Sequence, residues 1–267
     1  DLVAYVTAHE NPKKLKIHYA LQTNGYLINE EWAAFLGENH FLVGVSLDGL
    51  KEIHDRYRLD AAGKGTYQRV ISAIRLLEKH QVEYNILTVV TAATARNGQK
   101  IYNYFKKNHF GYQQYIECLD PIGEEPEKYG EFLKSMFDAW YLDMRSGTYV
   151  YNRYFENLMM IMAGQQPESC NMRGVCGKQW VFEADGSVYP CDFYALDQWR
   201  LGNIQENSFE EMDEKRDELG FIQWSMRQQE DCQKCRWFGL CRNGCRRNRE
   251  PVTAEHTNRN YFCKSYQ

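Results

Sequence analysis

Several things are missing from this chain. No stretch of eighteen apolar residues occurs, which excludes a membrane-spanning helix. No basic run stands out and the net charge is −4, so the electrostatic footprint of a nucleic-acid binder is absent. There is no internal repeat and no low-complexity tract. The opening residues are not expected to be a signal peptide. The chain opens on Asp1-Leu2-Val3-Ala4 rather than Met and reads like the middle of a helix, so an N-terminal segment is expected to be missing. No cysteine precedes Cys118.

What is present lies late in the chain. Eight of nine cysteines fall after residue 169. Cys232, Cys235, Cys241 and Cys245 form a C-x2-C-x5-C-x3-C run, and Cys263 follows after seventeen residues. Cys170, Cys176 and Cys191 are spaced C-x5-C-x14-C upstream. Thiolates crowded this way converge on metal. Four complete one site, so eight point to two. A disulfide framework suits shorter secreted chains. Structural zinc and iron–sulfur clusters both fit thiolate-only ligation, and spacing alone does not separate them. Cys118 reads as a buried strand cysteine.

With 43% hydrophobic and 14% aromatic residues, 267 positions can bury one large core or two smaller ones. Residues 1–10 read as a helix end. Strands are predicted at Lys16–Gln22, Phe41–Leu47, Glu83–Thr91 and Tyr112–Leu119, from alternation or continuous apolar runs. The apolar run Phe41–Leu47 suits a parallel strand covered on both faces. Helices are predicted from Asn29, a plausible N-cap, to about His40, then over Thr66–His80 and Thr94–Asn108. A short helix carries His54 and Asp55, which read as braces rather than site residues. Four strands alternating with helices give an α/β fold with a parallel sheet, whose site gathers at the C-terminal strand ends. Gln22, Asn24, Ser46, Asp48, Thr91, Cys118 and Leu119 lie there.

Glu124–Gly147 and Tyr151–Gly164 read as helices, the second as packing. The style changes after Gly164-Gln165-Gln166-Pro167, which sets a boundary between residues 1–165 and 166–267. Trp180 to Pro190 reads as a hairpin with Asp185-Gly186 as a two-residue turn. Ser208–Gln228 reads as helical with a break near Gly220.

The cysteine order, with Gly186 ahead of Cys191 and Cys170 or Cys176 opening the series, resembles the SPASM domain of radical S-adenosylmethionine (SAM) enzymes. Tyr189-Pro190-Cys191-Asp192-Phe193-Tyr194 and the Cys170-x5-Cys176 pair are similar to anaerobic sulfatase-maturating enzymes. Gln22-Thr23-Asn24-Gly25, and Ser46-Leu47-Asp48-Gly49 with His54, Asp55 and Arg58, agree with that family. The resemblance covers residues 15–265. It implies a partial (β/α) barrel of the radical SAM type over residues 1–165, its first βα units missing, followed by a small cysteine-rich α+β SPASM domain over residues 166–267.

The resemblance also implies roles. Cys170, Cys176, Cys191 and Cys245 would hold one auxiliary [4Fe-4S] cluster. Cys232, Cys235, Cys241 and Cys263 would hold a second. Ser46, Arg58 and Leu119 would contact S-adenosyl-L-methionine. Arg58 is suited to clamp a carboxylate bidentately. Asp192 would be the general base; carboxylates are ionised at neutral pH and can accept a proton. The bland readings are a turn serine, a solvated arginine and a surface aspartate.

One departure is clear. The family's C-x3-C-x2-C loop, which binds the SAM-cleaving cluster, is not in this sequence, nor is the glycine-rich segment that holds the SAM amino group. The expectation is therefore a fragment, inactive alone, of an enzyme that oxidises a Cys or Ser of a sulfatase polypeptide to formylglycine. A third cluster is expected in the missing segment. The implied partners are the sulfatase polypeptide and an electron donor such as ferredoxin or flavodoxin, with no nucleic acid or membrane. The implied location is cytoplasmic. Another SPASM peptide maturase, or a non-catalytic metal-binding scaffold, is the alternative.

Overall fold

The computed structural model describes residues 2–9, 11, 13–119 and 126–267. They fall into two compact units, Asp1–Tyr154 and Phe155–Gln267.

The first unit runs α1 (Leu2–Ala8), β1 (Ala20–Thr23), α2 (Glu30–Glu38), β2 (Leu42–Ser46), α3 (Lys51–Tyr57), α4 (Tyr67–Lys79), β3 (Glu83–Val90), α5 (Ala92–Ala95), α6 (Gly98–Lys107), β4 (Tyr112–Glu117), α7 (Glu127–Arg145) and β5 (Tyr151–Asn152). All neighbouring strands are parallel and the spatial order is β1-β2-β3-β4-β5. Sequence order and spatial order coincide, with a helix in each crossover, as in a (β/α) barrel.

Local chemistry explains the elements. The Asn29 side chain accepts from the Trp32 amide at 2.9 Å, an N-cap that stabilises α2 by about 1 kcal/mol. Val43 and Val45 on β2, Ile86 and Val90 on β3, and Tyr115 on β4 are buried. Alternation puts them on one face, and α4 supplies Val70, Ile74 and Leu77 to the same core. Each such side chain contributes roughly 1.5–3 kcal/mol. The other face holds the cross-strand row Ser46, Leu87, Gln114.

The first strand begins at Ala20, not Lys16. Leu42 is 45% exposed, so the apolar run of β2 is not covered on both faces along its length. The helix predicted at Thr94–Asn108 is two helices, α5 and α6. Tyr151 and Asn152, read as helix, pair with Tyr112 and Gln113 as a fifth strand. The predicted start of α7 at Glu124 lies outside the described residues.

In the second unit, α8 (Arg153–Met162) leads to a three-stranded antiparallel sheet, ordered β6 (Val181–Phe182), β7 (Ser187–Tyr189) and β8 (Gly202–Asn203). The hairpin loop has three residues, not two: the Glu183 amide bonds the Ser187 carbonyl at 2.9 Å across Ala184-Asp185-Gly186. Gly186 takes φ +82°, a left-handed position that glycine fills without strain. Val188, Leu201 and Met212 form a small core under Trp180 and Leu219. Four helices follow: α9 (Phe209–Glu218), α10 (Phe221–Ser225), α11 (Glu230–Gln233) and α12 (Phe238–Cys241). Ser208 and Glu211 form a capping box on α9, and Gly220, at φ +60°, makes the expected break.

Candidate functional site

Each unit carries its own group of site residues. In the first, Ser46 closes β2 and Leu119 lies just past β4, so both stand at the C-terminal edge of the parallel sheet, with β3 between them. Both are half-buried. Arg58 follows α3. One edge of its guanidinium is already engaged: Nε donates to Asp48 Oδ2 at 2.5 Å and Nη2 to Oδ1 at 3.2 Å. The sequence reading had this fork clamping a ligand carboxylate; in the structure Asp48 takes that edge, and the outer edge of Arg58 remains.

Asp48 is the organising residue here. Its Oδ1 also accepts the Val89 amide at 2.9 Å, and its own amide donates to His54 Nδ1 at 3.2 Å. Gly49 takes φ +81°, and a Cβ there would lie 2.7 Å from Ile101 Cδ1. Only glycine lets the chain turn away from Asp48 so closely. His54 Nε2 meets Thr66 Oγ1 at 3.0 Å, and that hydroxyl donates to the Arg58 carbonyl at 2.9 Å. With its proton so committed, Thr66 accepts from His54, which fixes the neutral Nε2–H tautomer. Burial pushes the imidazole down to about 4, with Asp48 opposing and Arg58 assisting. His54 and Asp55 are braces: Asp55 Oδ1 accepts the Tyr67 amide at 2.8 Å, at the start of α4. Asn24 holds its own turn through the Tyr26 amide at 3.0 Å.

In the second unit all eight clustered cysteines are free thiols. Which of them hold one another's protons on shows which are neighbours. Cys241 is pushed up to about 11, chiefly by burial, opposed by the Asn243 amide and assisted by Cys263, Cys232 and Cys235. Cys263 is raised by burial and by Cys232 and Cys235. Cys191 is pushed up to about 12, by burial, then Asp192 and Cys245. Cys176 is raised by burial and is a neighbour of Cys170, while Ser225, Arg246 and Arg249 hold it down. The neighbours thus fall into Cys232, Cys235, Cys241 and Cys263 on one side, and Cys170 with Cys176, and Cys191 with Cys245, on the other. Arg249 faces both Cys176 and Cys245 and so links the last two pairs.

The backbone explains how one loop feeds both groups. Arg242, Asn243 and Gly244 take φ of +47°, +75° and +66°. Three consecutive left-handed residues reverse the chain between Cys241 and Cys245. Asn and Gly tolerate that region and arginine resists it. Asn243 is held in place by its Nδ2 bond to the Arg227 carbonyl at 2.8 Å.

Among the described residues no three Cys, His, Asp or Glu side chains converge on a single metal ion. An iron–sulfur cube takes one thiolate per iron, so its cysteines stand further apart than the ligands of one zinc. Two sets of four free thiols, Cys170 exposed and the other seven half-buried, suit thiolate-only ligation of such a cluster. Iron bound there would displace the protons that burial holds on the sulfurs.

Asp192 opens a short 3₁₀ turn, Asp192–Tyr194. It is exposed, and its Oδ1 accepts from Cys191 Sγ at 3.2 Å. Phe193 beside it is 49% exposed, with the Arg247 guanidinium 4.3 Å over its ring. Behind the turn Tyr194 donates to Glu250 Oε1 at 2.5 Å.

Sequence reading missed the two arginines of Cys245-Arg246-Arg247-Asn248-Arg249 that turn inward. Arg246 is fully buried among Trp199, Phe221 and Tyr194, with Cζ 4.5, 4.9 and 5.5 Å from the rings. It donates to Glu250 Oε1 at 3.1 Å and to the carbonyls of Phe221 and Val252. The only local hint was aromatic residues upstream with no assigned partner.

Known proteins match most of the chain. The sequence model of the radical SAM superfamily matches residues 1–101, and that of the SPASM domain, an iron–sulfur cluster-binding domain, matches residues 170–236. The chain is 47% identical over 266 residues to the cysteine-type anaerobic sulfatase-maturating enzyme of Clostridium novyi, covering 96% of this chain and 71% of that one. The cysteine-type enzyme of Clostridium perfringens strain 13 is 49% identical, with 96% and 72% covered. The serine-type enzyme of Bacteroides thetaiotaomicron is 33% identical, with 94% and 66% covered. Native anSMEcpe, solved with bound AdoMet and Cp18Cys peptide, superposes with a TM-score of 0.93 at 47% identity, over 98% of this chain and 75% of that one.

Proposed function

Because the chain belongs to the anaerobic sulfatase-maturating enzymes of the radical SAM superfamily, we propose that it oxidises a cysteine side chain of a sulfatase polypeptide to formylglycine. The observation that carries this reading is the exposed Asp192 carboxylate against Cys191 Sγ, at the edge of one of two four-cysteine sets. A proton acceptor thus adjoins a group built to hold an electron-accepting cofactor. The cysteine type is favoured over the serine type by 47–49% against 33% identity.

Cys170, Cys176, Cys191 and Cys245 hold one [4Fe-4S] cluster in this reading, and Cys232, Cys235, Cys241 and Cys263 a second. When bound, SAM and the clusters supply hydrogen-atom abstraction and electron uptake. The chain's own residues position and deprotonate. Ser46, whose hydroxyl has no partner among the described residues, offers a donor to the ribose or amino-acid group of SAM. Asp48 holds Arg58 by one edge and so aims the other at the SAM carboxylate. Leu119 gives the adenine an apolar neighbour. Asp192 accepts the proton from the substrate Sγ, and its place next to a cluster ligand holds its backbone rigid.

An external donor of the ferredoxin or flavodoxin class supplies reducing electrons, and the cytoplasm, where thiols stay reduced, is the compartment. No helix among the described residues is long and apolar enough to cross a membrane.

The test supplies the C-x3-C-x2-C loop on an N-terminal segment, reconstitutes the clusters and adds a cysteine-containing sulfatase peptide. Mass spectrometry should show the aldehyde. Normal SAM cleavage with an unaltered peptide would sink the reading and point to a maturase of some other peptide.

A further inference from the structure

Arg249 is a buried charge that no carboxylate pairs with among the described residues. The residue is 1% exposed. Nη1 donates to the Arg227 carbonyl at 2.9 Å and to Thr257 Oγ1 at 3.3 Å, and Nη2 to the Ser225 carbonyl at 2.8 Å. These acceptors are neutral. Nε has no partner. Arg246, equally buried, differs: Glu250 neutralises it at 3.1 Å and its nitrogens are all bonded. A buried cation without an anion is strongly disfavoured. The ionisable groups that favour the charge of Arg249 are Cys176 and Cys245, ahead of Tyr194.

The surrounding bonds tie this cation to both cysteine sets. Ser225, whose carbonyl holds Nη2, also accepts the Cys176 amide on its Oγ at 3.0 Å. The Arg227 carbonyl that holds Nη1 is shared with Asn243 Nδ2 at 2.8 Å, and Asn243 Oδ1 meets Cys232 Sγ at 3.6 Å.

We propose that Arg249 is the built-in counter-charge of the iron–sulfur cluster held by Cys170, Cys176, Cys191 and Cys245, with its free Nε–H reserved for that group, and that it raises the cluster's reduction potential. The proposal rests on reading those four cysteines as one ligand set. Arg249 touches no substrate; it is a positioning and tuning residue. Four thiolates make the bound group anionic, and it gains one further negative charge on taking up one electron. A fixed cation stabilises the more negative form more, so the potential moves up. No bond forms or breaks; in the test dithionite supplies the electron.

The test compares anaerobically reconstituted wild type, Arg249→Gln and Arg249→Lys by iron and sulfide content and by EPR-monitored redox titration. Wild type labelled with ¹⁵N-arginine is also examined by pulsed EPR. Iron content should stay at about eight per chain. In Arg249→Gln one cluster should shift its one-electron equilibrium at least tenfold toward the oxidised form, about 59 mV, while the other stays in place. Arg249→Lys, which keeps the charge, should move much less. A ¹⁵N coupling to one reduced cluster should be present in wild type and absent from Arg249→Lys.

Unmoved potentials in Arg249→Gln, equal shifts in both variants, or no ¹⁵N coupling in wild type would overturn the proposal. Should Arg249→Gln lose its iron, the Arg249→Lys titration and the coupling decide. Wild type holding about four irons or fewer refutes the two-cluster assignment itself, a failure separable from the others.

Discussion

Asp48 and Arg58 form a two-point pair at the edge of the parallel sheet, with Nε 2.5 Å from Oδ2 and Nη2 3.2 Å from Oδ1. The carboxylate is nearly buried, at 7% side-chain exposure, and the guanidinium is 26% exposed. Asp48 therefore fixes the orientation of Arg58, and it also accepts the Val89 amide of β3.

Asp48→Asn should cost about 2 kcal/mol of stability, because a charge-assisted pair and the strand contact are both weakened. The urea midpoint should fall with an unchanged slope. SAM affinity should drop as well, since Arg58 is no longer held. A variant with wild-type midpoint and wild-type SAM binding would mean that Asp48 merely neighbours Arg58.

His54 supplies a pH dependence. Its folded pKa is about 4, below the usual value near 6.5. As pH falls through 6.5 toward 4 the unfolded chain takes up a proton that the fold refuses, so stability is lost across that window. It is flat for this group above and below. The full effect is on the order of 3 kcal/mol. His54→Gln should flatten this part of the stability profile between pH 7 and 4.5 relative to wild type. Parallel profiles for the two proteins would assign the window to carboxylates alone.

What was readable beforehand follows locality. The Asn29 cap and the Gly220 break were legible because a cap or break is decided within four residues. β5 was not, because Tyr151 and Asn152 become a strand only by pairing with Tyr112 and Gln113, some forty residues away. The hairpin was found, but its loop is one residue longer, since the αL glycine closes a three-residue turn. At the site, two metal groups were legible from cysteine count. An interleaved division of the cysteines is implied only by the family resemblance. The left-handed run Arg242-Asn243-Gly244 that reverses the chain between Cys241 and Cys245 is hinted at by the Asn-Gly pair alone. The inward turn of Arg246 and Arg249 had no signal beyond the unassigned upstream aromatics, because an arginine-rich stretch usually reads as a solvated face.

The second unit should bind two [4Fe-4S] clusters. Anaerobic reconstitution should give about eight iron and eight sulfide per chain. Chelation of the iron should unfold this unit before the first, since its apolar core is small and ligation and folding are coupled. Stoichiometric zinc without sulfide would rule the clusters out.

This 267-residue chain, reconstituted and reduced, should release no 5′-deoxyadenosine from SAM. It has no cysteine before Cys118 and thus no C-x3-C-x2-C loop. Product above the reductant-only control would show that one of the two cysteine sets cleaves SAM itself.

Asp192 is tested with that loop supplied. Asp192→Asn keeps the size of the side chain and an acceptor oxygen, but removes the charge that takes the proton. Its carboxylate touches Cys191 Sγ at 3.2 Å, yet no cysteine changes, so iron and sulfide content should hold. SAM cleavage should hold too, because that step belongs to the N-terminal loop. Formylglycine yield alone should fall, on the order of a hundredfold or more, as for loss of a general base. Loss of iron, or of both activities together, would make Asp192 a structural partner of Cys191. An undiminished yield would pass the proton to another group near the cluster. Tyr189 and Tyr194 are the neighbours to try, and Tyr194 is the poorer acceptor: it is buried and already donates to Glu250, and both burial and that bond hold its proton on. The split between the two activities is therefore the measurement that separates a base from a brace.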